Sequence, residues 1–130
     1  MPLSLGPGVL PPVVGNVSLE MEVPAFRAAR PRAYESTALP GRFHEELGRD
    51  FSAHYTFHEG RLYAVLVRQG GRGRDAARLH AEARRRFGAP LVWMGSQLYQ
   101  VPGALLRIES DLGNLVLEVI RTAGPRPRPR

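Results

Sequence analysis

His54, His58 and Glu59 lie within six residues of one another, with His44 and His80 elsewhere in the chain. Histidines and carboxylates are the groups from which metal sites and acid–base pairs are built. Spacing decides what these can do. Phe51 to His58 alternates apolar and polar residues and reads as a strand, on which positions i and i+4 stand about 13 Å apart along the axis. His54 and His58 cannot then share one ion, and they read as solvent-facing polar residues. His44-Glu45-Glu46 lacks the second histidine of a metalloprotease helix. His80 borders the apolar stripe of a helix and suits a boundary position with a satisfied hydrogen bond. The chain has no cysteine, which removes disulfides, thiolate zinc sites and thiol nucleophiles together. No metal ligand and no cofactor is expected.

Nucleophilic catalysis finds no footing either. None of Ser4, Ser18, Ser36, Ser52, Ser96 and Ser110 sits in a Gly-x-Ser-x-Gly elbow. Gly71-x-Gly73-x-x-Ala76 falls between a strand and a helix, which formally fits a loose dinucleotide fingerprint. No strand–helix–strand repeat follows it, and residues 91–108 carry no acid to hold a ribose. The Walker pattern is excluded because the chain has no lysine. What the loop offers is at most a simple anion site of backbone amides, the helix N-terminus and Arg72 or Arg74. No catalytic residue is assigned, and the expectation leans away from an enzyme.

All 18 basic residues are arginine, as a GC-rich coding bias alone would produce, but they are unevenly spread. Residues 61–86 hold eight arginines against Asp75 and Glu82, and residues 121–130 hold four with no acid. Arg72, Arg74, Arg78, Arg85 and Arg86 form the candidate anion or partner surface, since such a concentration of charge suits a polyanion or an acidic protein. Tyr55, Tyr63, Trp93 and Tyr99 could add a stacking platform for single-stranded nucleic acid, although strand positions suit sheet packing as well.

The elements that must position these groups follow from periodicity. Val17, Leu19, Met21 and Val23 alternate with polar residues and predict a strand over 17–23. Gly41 to Leu47 suits a short helix closed by Gly48. Phe51–His58 and Arg61–Arg68 flank Glu59-Gly60 as a hairpin, and the second strand, apolar on both faces, belongs near the sheet centre. Ala76, Leu79, Ala83 and Phe87 recur at spacings of three and four, predicting a helix over 74–87 that Gly88 and Pro90 end. Leu91–Met94, Gln97–Val101, Ala104–Glu109 and Leu115–Arg121 read as short strands whose connections are too brief for parallel crossovers.

The expected fold is therefore α+β: an antiparallel sheet of about five to seven strands with one main helix on one face. Residues 1–16, rich in proline and glycine, read as a flexible extended arm. Residues 17–121 read as a single domain, and 122–130 as a disordered Pro/Arg tail. No apolar run approaches the ~20 residues of a membrane helix, and the amino terminus lacks the basic residues of a secretory signal, so a cytoplasmic protein without membrane contact is expected. The expected function is a non-enzymatic protein-interaction or assembly module that binds a protein partner or a second copy of itself. The alternative is sequence-non-specific nucleic-acid binding by the arginine helix and tail.

Overall fold

The computed structural model describes residues 3–122. In chain order its elements are α1 (Val23–Ala29), β1 (Tyr34–Glu35), β2 (Arg42–Gly48), β3 (Phe51–His58), β4 (Arg61–Gln69), α2 (Ala76–Phe87), β5 (Leu91–Trp93), β6 (Ser96–Val101), β7 (Ala104–Asp111) and β8 (Asn114–Arg121). Single 3-10 turns lie at Pro12–Val14 and Gly73–Asp75. The fold is α+β, with the eight strands in one antiparallel sheet ordered β1-β2-β3-β4-β8-β7-β6-β5. Two meanders thus meet along β4 and β8.

The sheet has one packed face. Cross-strand register aligns Phe43, Tyr55, Val65, Val119, Leu106 and Tyr99 in a row across six strands, and all are buried. Both helices cover that row. From α1, the fully buried Phe26 sets its ring edge-on at 5.0, 4.6 and 5.1 Å from Phe43, Tyr55 and Phe57. From α2, Ala76, Leu79 and Ala83 are the buried stripe, as the spacing predicts. The next register row lies on the opposite face and carries no helix: Tyr34, His44, His54, Leu66, Glu118, Arg107, Leu98 and Leu91, from β1 to β5.

Three expectations are corrected. The alternation over 17–23 is real in burial, with Val17 buried and Leu19 and Met21 packed against the core. It makes no strand, because Glu20 turns the backbone left-handed (φ 77°) and only two backbone–backbone hydrogen bonds, both to Leu62, tie the segment to the sheet. Pro24 does not break a regular element but sits in the first turn of α1, where its missing N–H costs no hydrogen bond. Residues 42–48 are β2 and not a helix. Phe43, Glu45 and Leu47 share the inward face of β2, and the acid among them disguises the strand period. The sheet accordingly has one strand more than the upper expectation, and a second helix, α1.

The third correction concerns residues 3–16. They are irregular in backbone, but Leu3, Leu10 and Val14 belong to the core. Proline and glycine deny this segment a hydrogen-bonded ladder without denying it burial. Its carbonyls are met by α2 instead: Arg78 donates to Leu3 O at 3.1 Å and Arg86 to Gly6 O at 2.6 Å. The Pro/Arg tail from residue 123 onward lies outside the described residues. No helix among the described residues is long and apolar enough to cross a membrane.

Candidate functional site

Of the five arginines singled out, α2 carries Arg78, Arg85 and Arg86, while Arg74 lies in the 3-10 turn before it and Arg72 precedes that turn, and few of the five are left uncommitted. Arg72 is bound by Asp75 through Nε and Nη2, both at 2.9 Å. Arg78 shares Asp75 at 3.8 Å besides holding the Leu3 carbonyl, and Arg86 holds Gly6 and stacks over Phe87. Arg74 and Arg85 are exposed, as is the neighbouring Arg84, and these three make no ion pair among the described residues. The glycine loop is also committed to its own chain. Gly71 N–H donates to Asn114 Oδ1 at 3.3 Å, and Gly73 N–H to Gly113 O at 2.9 Å. A Cβ at Gly73 would collide with Ser110 Oγ, so glycine is needed there for close approach to the β7–β8 turn and not for a phosphate.

Tyr55 and Tyr99, two of the four aromatics, are fully buried, and Tyr99 O–H lies 2.7 Å from His80 Nδ1. Trp93 is exposed. It belongs to the feature that periodicity could not reveal, an uncovered apolar edge. Leu91, Val92, Trp93 and Met94 are 50, 72, 65 and 83% exposed. Strand β5 pairs only with β6, so its outer backbone edge is unpaired in the sheet. Pro90 just before it and a length of three residues keep this edge short.

The turn that ends β5 breaks a local rule. Met94 (φ 50°) and Gly95 (φ 82°) both adopt the left-handed conformation of a two-residue hairpin turn, in which the first position favours Asn, Asp or Gly. Methionine there costs about 1–2 kcal/mol. The β7–β8 turn repeats the pattern, with Leu112 (φ 52°) before Gly113 and 95% exposed. Ser96 Oγ donates to Glu109 Oε2 at 2.8 Å, which places the start of β6 beside the end of β7 and so both turns at the same end of the sheet. Two large apolar side chains therefore project from that end on backbone suited to polar residues.

The helix-free face is charged and grooved. Arg107 bridges Glu118 and Glu109 in its middle. Toward β1, a groove of about 680 Å³ is lined by Tyr34, Leu39, His44, His54, Leu66 and Arg68 among others. His44 and His54 face each other across β2 and β3 with Nδ1 atoms 3.4 Å apart. Burial, then the charges of His44 and Arg68, push His54 below the usual histidine range. Behind these strands, on the core side, Glu45 Oε1 accepts from Tyr55 O–H at 2.7 Å and from Arg30 Nε at 2.9 Å. Burial and the Glu45 bond both raise Tyr55. For Arg30, burial alone would lower the pKa, and the bonds and charges of Glu45 and Tyr55 together outweigh it.

The chain matches no known protein family, no curated protein and no solved structure.

Proposed function

We propose that this chain is a non-enzymatic protein-interaction module whose contact surface is the β5–β6 hairpin. One observation carries the reading: Leu91, Val92, Trp93 and Met94 are four consecutive large apolar residues, all at least half exposed, on an unpaired sheet edge. Monomeric surfaces seldom gather apolar side chains this way without a partner. The partner tested first is a second copy of the chain. Antiparallel pairing of two β5 edges about a twofold axis would continue the sheet and set the same apolar side chains against each other. The N-terminal segment does not contribute to this reading, because Leu3, Leu10 and Val14 are buried in the core.

Sedimentation velocity should then show a concentration-dependent dimer. The emission of Trp93, the single tryptophan, should shift to the blue as the dimer forms. Val92→Glu should abolish both changes. Met94→Asn should weaken association while raising folding stability by about 1 kcal/mol, since asparagine relieves the left-handed position. A wild type that stays monomeric up to millimolar concentration, with unchanged Trp93 emission, removes self-association.

The alternative of nucleic-acid binding keeps one supporting observation, the exposed Arg74, Arg84 and Arg85, which make no ion pair among the described residues. Three phosphate contacts give a salt slope near −3 and weak affinity. Retention of DNA or RNA is expected at low salt and not at physiological ionic strength. The triple glutamine variant of these arginines should abolish it with the fold intact. Arg78 and Arg86 must be spared in that variant, because they anchor residues 3–6. Binding that persists at physiological salt would make nucleic acid the first reading.

A further inference from the structure

We infer that His44 and His54 form a binding site for one divalent transition-metal ion, zinc being the probe of choice, on the helix-free face of the sheet. The site goes beyond the interaction reading and lies near the opposite edge of the sheet from the β5 hairpin. Strand β2 delivers His44 and strand β3 delivers His54 to directly opposed register positions, with ring centroids 4.6 Å apart and planes inclined at 71°. Their Nδ1 atoms point at each other across 3.4 Å. Two nitrogens bound at about 2.1 Å to a tetrahedral zinc are separated by about 3.4 Å, so the observed spacing already matches one edge of the coordination polyhedron.

The outer nitrogens support the same assignment. His44 Nε2 lies 2.9 Å from Glu46 Oε1. A carboxylate only accepts, so this nitrogen carries the proton and His44 Nδ1 presents its lone pair. A carboxylate behind the imidazole is the usual outer partner of a metal-bound histidine, fixing its tautomer and raising its basicity. His54 Nε2 has Ser52 Oγ at 3.4 Å for the same purpose. Where Ser52 accepts, both Nδ1 lone pairs face one space that a metal ion can occupy; where Ser52 donates, His54 carries its proton on Nδ1 and donates it to His44 Nδ1. Imidazole pairs select zinc, nickel and copper, whereas magnesium and calcium require oxygen ligands.

No set of three or more such ligands is assembled among the described residues. The ion would therefore keep two coordination positions directed into the groove beside Tyr34 and Arg68, where water or an anionic solute can complete the shell. A site with only two protein ligands is not required for folding.

Isothermal titration of the full chain, without a histidine tag, against zinc chloride near neutral pH tests this. One ion per chain is expected. His44→Gln and His54→Gln should each weaken binding at least tenfold, and Glu46→Gln several-fold. His58→Gln and His80→Gln should bind as the wild type does. Ring C–H resonances of the wild type, followed by NMR during the same titration, provide a readout that needs no variant. Those of His44 and His54 should shift together at a one-to-one ratio while those of His58 stay still. Absence of saturable binding up to about 100 µM zinc, or shifts centred on His58 or His80, would overturn the site. The first result would mean that the two nitrogens share a proton.

Discussion

A chain beginning at residue 17 is expected to lose about 20 °C in thermal midpoint, or its cooperative transition altogether. Leu3, Leu10 and Val14 are 3, 9 and 0% exposed, and burying one such side chain contributes about 1.5–3 kcal/mol. Three of them amount to roughly 5–9 kcal/mol, comparable with the whole stability of an ordinary domain at about 5–15 kcal/mol. At the 3–4 °C or so that each kcal/mol represents for a chain of this size, the shift follows. The truncation also strips the carbonyl partners from Arg78 and Arg86 and uncovers apolar surface beside α2. Differential scanning calorimetry of the truncated and full chains decides the matter. A midpoint preserved within a few degrees would show that the segment does not dock.

Glu45→Ala is expected to cost about 3–5 kcal/mol, because it leaves the Arg30 guanidinium largely buried without its counter-charge. The side chains of Glu45 and Arg30 are only 6 and 15% exposed, so water cannot replace the lost carboxylate. Tyr55 O–H loses its acceptor in the same change. Removing both charges should be milder. Arg30→Met combined with Glu45→Leu replaces the pair by apolar groups of similar volume and is expected to be less destabilised than Glu45→Ala alone. Urea denaturation of the three proteins measures this. A double variant worse than Glu45→Ala would mean that the polar cluster fixes the packing of α1 on β2, beyond satisfying its own charges.

The same residues show what the sequence made legible. The β3–β4 hairpin, α2 and the strands from 91 to 121 follow from local period, because each exposes one face and buries the other, or belongs at the sheet centre. Strand β2 was hidden because Glu45 is an acid on a core face, and its partner Arg30 lies fifteen residues away in the chain. Reading that stretch as a helix also hid His44 from His54, since only two paired strands set them opposite. The arginines of α2 were placed correctly on a helix, but the carbonyls that occupy Arg78 and Arg86 lie 75 and 80 residues distant. Strand β5 was recognisable as a strand. That nothing among the described residues covers it depends on sheet order, which no local pattern encodes.

That order also has a kinetic consequence. Each meander can form from neighbours in the chain, but β4 pairs with β8 through contacts such as Ala64–Ile120 and Gln69–Leu115, with α2 and three strands intervening. Closing so long a loop makes this the slow event in folding. Until it happens, β4 stands as an open edge carrying Leu62, Ala64, Val65, Leu66 and Val67, a better template for aggregation than any edge of the finished sheet. Refolding yield should therefore fall as protein concentration rises, and chaperones in the cell would meet this chain at β4 and not at the hairpin that remains exposed in its native state.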